Sequence, residues 1–195
     1  MTTRRSARTV TARSAPLSPE GAVALFEYNR AVFGRFARRV RGLPGKAATR
    51  RRGIGHESLF DTLVHILNVQ EVWLVYIVRG RNSERQLRTL FEEPRRHPHD
   101  WKGFDAYAEQ VWAGVETTVR GLTPRALNRT ASVFWMPGRY TVRDALFQAT
   151  MEEAHHLGEI IGALWQDDRR SPDMTWIDLK RAAMAPRRPR KPRRA

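Results

Sequence analysis

Met151-Glu152-Glu153-Ala154-His155-His156-Leu157-Gly158-Glu159 lies inside a long segment whose apolar residues recur at helical spacing. Glu152, His156 and Glu159 stand at i, i+4 and i+7, so a helix stacks all three on one face. Carboxylates and an imidazole in that arrangement are the donors of a metal or proton-transfer site. One helix offers only one side of such a site. A second apolar helix is therefore sought, and the chain has one: Leu63, Val64, Ile66 and Leu67 flank a single polar residue, His65. Helical bundles build metal sites in this way, from inward residues on facing helices.

Working outward, Thr141-Val142-Arg143-Asp144 reads as a capping-box start, and the helix that follows runs to about Gln166. Ser18-Pro19-Glu20 reads as a cap followed by proline in the first helical position. A first helix is predicted over 19–41, closed by Gly42-Leu43-Pro44-Gly45. Residues 46–57 form a basic connection that contains Arg50-Arg51-Arg52. Ser58 then caps a second helix over 59–79, apolar nearly all round, with Gly80 as its stop. Residues 81–100 are charged and broken by proline, and read as a long surface connection. A third helix is expected over about 104–120, with one short turn at Thr123-Pro124. Residues 128–140 read as a loop or a brief extended pair around Phe134-Trp135. Asp173 to Ala183 is expected to add a short docking helix through Met174, Trp176, Ile177 and Leu179. The fold class is all-α: a four-helix bundle with long crossover connections.

The chain has 195 residues and no cysteine, which excludes disulfides, thiolate metal sites and a cysteine nucleophile. Any metal must be held by His, Asp or Glu. The net charge of +15 resides mostly at the ends. Arg4, Arg5, Arg8 and Arg13 precede the first helix, and eight Lys and Arg residues follow Leu179, with no acid in either tail. The middle is close to balance. The expected organisation is a disordered basic tail at 1–18, a helical body at 19–183 and a disordered Arg/Pro-rich tail at 184–195. The stretch Leu59 to Val78 is interrupted by Asp61, His65, Asn68, Gln70 and Glu71, so no membrane span is expected. Cytoplasmic location is the default expectation.

Several phrases occur together in a characteristic order. Asp61-Thr62-Leu63-Val64-His65-Ile66-Leu67-Asn68-Val69-Gln70-Glu71-Val72-Trp73-Leu74 comes first. Thr123-Pro124 to Asn128-Arg129-Thr130 follows, then His155-His156-Leu157-Gly158-Glu159-Ile160-Ile161 and Pro172-Asp173-Met174-Thr175-Trp176-Ile177-Asp178-Leu179. Over roughly residues 20–180 the chain resembles the DinB/YfiT-like superfamily. The resemblance implies a four-helix bundle, often dimeric, that holds one divalent metal ion with three histidines. One comes from the second helix and two from a His-x-x-x-His pair ending in His-Arg-Gly-Gln. His65 matches the first and His156 the last, with His-Leu-Gly-Glu in place of the usual ending. Glu152 stands where the remaining histidine is expected, and the chain departs from the family there.

The ligand set implied is thus His65, Glu152 and His156; Glu159, one turn further, reads as the partner that orients His156, with salt bridging on the bundle surface as the alternative. Two imidazoles and a carboxylate still form a competent divalent site for zinc, nickel, iron or manganese, which the donor types do not distinguish. The opposite reading of Glu152 is that tight metal binding has been lost. His155 points about 100° from His156 on a helical wheel and reads as an intersubunit or surface residue, with an alternate ligand as the sharper option. His56, just before the Ser58 cap, reads as capping or solvated, with an approach to the site mouth as the sharper alternative. His97 and His99 are assigned no function.

Three function classes follow. The resemblance implies a metal-dependent enzyme, such as a thiol S-transferase whose metal activates a small thiol cosubstrate, or a hydrolase using metal-bound water. The basic tails and Arg50-Arg51-Arg52 suggest contact with nucleic acid or another anionic partner, although no nucleic-acid-binding motif is present. The Glu152 departure suggests a non-catalytic helical dimer that keeps only the fold.

Overall fold

The computed structural model describes residues 17–53, 56–80, 83–92 and 97–178. The chain is all-α apart from one small hairpin. Its elements run α1 (Pro19–Arg41), α2 (Leu59–Gln70), a π-helical continuation of α2 (Glu71–Ile77), α3 (Glu84–Glu92), α4 (Trp101–Arg120), α5 (Pro124–Leu127), β1 (Thr130–Val133), β2 (Met136–Thr141) and α6 (Val142–Gln166).

Caps set most of these boundaries. Ser18 accepts a hydrogen bond from the Gly21 N–H, and Pro19 needs no partner for a backbone donor in the first turn. Ser58 accepts from the Asp61 N–H at 3.1 Å, and Thr141 and Asp144 form a full capping box at the start of α6. At the far end of the second helix, Gly80 adopts φ 69°. The Arg129 guanidinium lies where a Cβ would stand and donates to the Val78 carbonyl. Glycine is required at that stop.

The four long helical segments, α1, α2 with its continuation, α4 and α6, pack on one another around a single core. Phe36 of α1, Leu63 and Ile66 of α2, Leu74 of the π segment and Leu157 and Ile160 of α6 are fully buried. The π segment is central: α4, α6, α3 and β1 all pack against it. Glu71, Val72, Trp73 and Leu74 are consequently buried in succession, which a helix with one solvent face does not show. Gly114 of α4 lets the backbones approach, since a Cβ there would come within 2.9 Å of Val75 Cγ2.

Three expectations change, and one of two alternatives is decided. The second helix is not α-helical throughout 59–79: it turns π-helical at Glu71, and the Val78 N–H donates to the Trp73 carbonyl five residues back. Residues 81–100 are not simply a surface connection. They contain α3, started by the reciprocal Ser83–Gln86 hydrogen bonds and docked through buried Leu87 and Leu90. The third helix begins at Trp101 rather than 104, because the Asp100 carboxylate accepts from the Gly103 N–H at 2.7 Å. Residues 128–140 include the extended pair, an antiparallel hairpin with Thr130 opposite Thr141 and Ala131 opposite Tyr140. The expected docking helix appears within the described residues as one turn at 176–178, where the Trp176 ring lies 5.0 Å from that of Tyr28. The rest of that segment and the basic tails, Leu17 and Ser18 excepted, lie outside the described residues. No helix among the described residues is long and apolar enough to cross a membrane.

Candidate metal centre

His65 emerges from the middle of α2 and His156 from the middle of α6, two helices in extensive contact. Their ring centroids are 4.6 Å apart at 84°. Leu63, Ile66, Leu157 and Ile160 on these helices are fully buried; His156 is buried and His65 half-buried.

A third ring joins them. His56 stacks on His65 with centroids 3.6 Å apart and lies 5.0 Å from His156. One ring nitrogen from each of His56, His65 and His156 lies within 4.8 Å of the other two. Ligand atoms around a tetrahedral divalent ion are roughly 3.4 Å apart for bonds of about 2.1 Å, so a small closure of these side chains suffices.

Glu152 stands at the edge of this group. Its Oε2 lies 3.6 Å from His156 Nε2, and its Oε1 accepts a hydrogen bond from Gln148 at 2.6 Å. Glu159 is closer: its Oε2 is 2.8 Å from His156 Nδ1. A carboxylate there receives the Nδ1 proton and leaves the Nε2 lone pair free. The other Glu159 oxygen is 3.5 Å from His155 Nε2, whose side chain is 66% exposed on the outside of α6.

The electrostatics favour neutral imidazoles. Burial first, then the neighbouring rings of His56, His156 and His97, push the His65 pKa down to about 3. Burial also lowers that of His56, with His156 adding to it. A neutral imidazole offers the lone pair that a cation needs, so this donor set fits a divalent metal ion. His97, to which the sequence reading gave no function, is thereby close enough to act on His65.

The described residues on either side of His56 make several specific contacts. Arg51 donates twice to Glu57, at 2.5 and 2.8 Å. Arg52, its side chain only 7% exposed, donates to the Ala47 carbonyl at 3.0 Å and to Asp167 at 2.8 Å, and Arg50 pairs with the same carboxylate. These hydrogen bonds, Arg52 foremost, hold the Asp167 carboxyl below its usual range. Glu57 takes a left-handed φ of 59°, and the Ser58 N–H turns back to the His56 carbonyl. The Phe60 N–H bonds to the Ala48 carbonyl, which lays the connection along α2.

Sequence reasoning placed His65 and His156 on their helices and read His56 as capping or solvated, with an approach to the site mouth as the alternative; the structure brings it to His65. The only local signal was a histidine two residues ahead of a helix cap. His65 lies about 10 Å along the helix from that cap, so the contact exists only because the connection folds back.

The family model described as the DinB superfamily matches residues 28–160, more than half of the chain. The matched span contains His56, His65, Glu152, His156 and Glu159. No curated protein matches the chain.

Proposed function

This chain belongs to the DinB superfamily, and from that premise we propose that it binds one divalent metal ion between α2 and α6 and uses it in transfer chemistry on a small-molecule thiol. The observation that carries the reading is the pair His65 and His156, one from each of two facing helices, with rings 4.6 Å apart.

When bound, the ion stabilises a thiolate at neutral pH. The chain supports the chemistry in three ways. His65 and His156 present ring nitrogens from two facing helices. Glu159 fixes the tautomer of His156 through Nδ1. Glu152, its side chain 34% exposed and restrained by Gln148, places a negative charge beside the centre. The chain has no cysteine, so the reacting sulfur must arrive on a cosubstrate.

The test is metal content and thiol conjugation of the full-length protein beside His65→Ala and His156→Ala. Wild type is expected to hold one divalent ion per chain and to conjugate a small thiol to an electrophile, and both variants to lose the ion and the activity. Equal metal content in all three proteins would overturn the reading.

A further inference from the structure

Resting on that metal-binding reading, we propose that the third protein ligand is His56, delivered by the connection between α1 and α2, and that the Arg52–Asp167 pair positions it. The position equivalent to a third histidine on α6 is Glu152, but its carboxylate is not a member of the close group of donors. The close group that spans both helices is His56, His65 and His156; the other, His155, His156 and Glu159, lies wholly on α6. The loss of an imidazole from α6 is thus offset by one from the connection ahead of α2, whose ring stacks on that of His65.

Two independent features show that this loop is built for the position. The first is backbone geometry: Glu57, directly after His56, adopts a left-handed conformation that side-chain-bearing residues seldom take, and its carbonyl accepts from the Arg52 N–H. The second is the anchor. Asp167 caps the C-terminal end of α6, the helix that carries His156, and there it receives both Arg50 and Arg52. The helix bearing one ligand therefore holds the loop bearing another. A surface ion pair contributes little to stability, but Arg52 and Asp167 are 7% and 15% exposed. Their geometry is accordingly well suited to restraining the loop.

Cobalt(II) is the probe, because its visible absorption reports the number and type of ligands. The full-length protein is titrated as wild type, His56→Ala, Glu152→Gln, Asp167→Asn and Asp167→Glu, with circular dichroism as the control for folding. Removing a group that only supports a ligand typically lowers metal affinity about 10–100-fold. His56→Ala is expected to lose more than that and to change the spectrum, whereas Glu152→Gln, which removes a carboxylate beside the centre, is expected to lose less than His56→Ala and to leave the spectrum unchanged. Asp167→Asn is expected to weaken binding by about 10–100-fold without changing the spectrum at saturation, and Asp167→Glu to restore part of the loss. His56→Gly supplied with free imidazole is expected to recover the wild-type spectrum, which separates a missing ligand from a misfolded loop.

If His65→Ala and His156→Ala lose cobalt while His56→Ala binds like wild type, the His56 assignment is wrong and the metal reading stands. If Glu152→Gln loses as much as His56→Ala, the third place belongs to Glu152. If none of the histidine variants loses cobalt, the metal reading itself falls.

Discussion

Glu153 shows how strongly one buried group can set the behaviour of the whole chain. It is 3% exposed on the inner side of α6, where Gln70 donates to its Oε2 at 2.9 Å. Burial raises its pKa to about 8 from an ordinary 4.5. The native state therefore prefers the neutral acid. The stability that this preference contributes is fully present below pH 4.5 and is lost as pH rises through 8. Within that window the loss is on the order of 1 kcal/mol per pH unit. Thermal melts of the metal-free protein are expected to show a fall in Tm as pH rises from 4.5 to about 8 in wild type and a much smaller fall in Glu153→Gln. Parallel curves for the two proteins would show that Glu153 does not titrate in this range. Glu153 also separates what a helical pattern reveals from what it hides. Its neighbours Glu152 and His156 were legible as one stripe, yet the most buried carboxylate in the segment was the residue between the expected ligands. Only the packing of α2 against α6 makes that position interior.

At the scale of elements, caps were the most readable signals and backbone irregularities the least. The starts of α1, α2 and α6 follow from Ser18, Ser58 and Thr141, because an unpaired N–H needs a nearby acceptor wherever the helix later docks. The same logic was available for α3, where Ser83 and Gln86 stand three apart. The charged composition of that stretch obscured it. The π segment had no such signal, since it arises where several elements crowd one stretch of helix. Its contact with α4 can be tested at Gly114. Alanine is favoured over glycine within a helix by about 1 kcal/mol, but here its Cβ would meet Val75 Cγ2 at 2.9 Å. Overpacking typically costs about 1–3 kcal/mol. Gly114→Ala is therefore expected to be destabilising by about 1 kcal/mol in urea melts, and Val75→Ala in the same chain to reverse much of the loss. A stabilised single variant would mean that the helices part without cost.

For the whole molecule, the balance of charge separates the body from its ends. Twelve of the fifteen net positive charges lie in the acid-free terminal stretches, whose Arg- and Pro-rich composition cannot supply a core. A chain trimmed to residues 17–183 is expected to melt within about 2 °C of the full-length protein and to retain its metal. Any salt-sensitive affinity for DNA held by the tails should disappear from the trimmed chain. A large loss of Tm on trimming would show that the termini pack on the body.

The sequence alone determined the all-α fold, the principal helices and the two histidines that meet across α2 and α6. Apolar periodicity and capping are local properties, readable within about a turn or two of the residue concerned. The tertiary structure alone decided which third side chain joins those two histidines. His56 reaches His65 because the connection before α2 folds back along the helix and is tied to Asp167, more than a hundred residues later in the chain. Such an arrangement depends on where a distant helix ends, and no spacing within the quoted stretch encodes it.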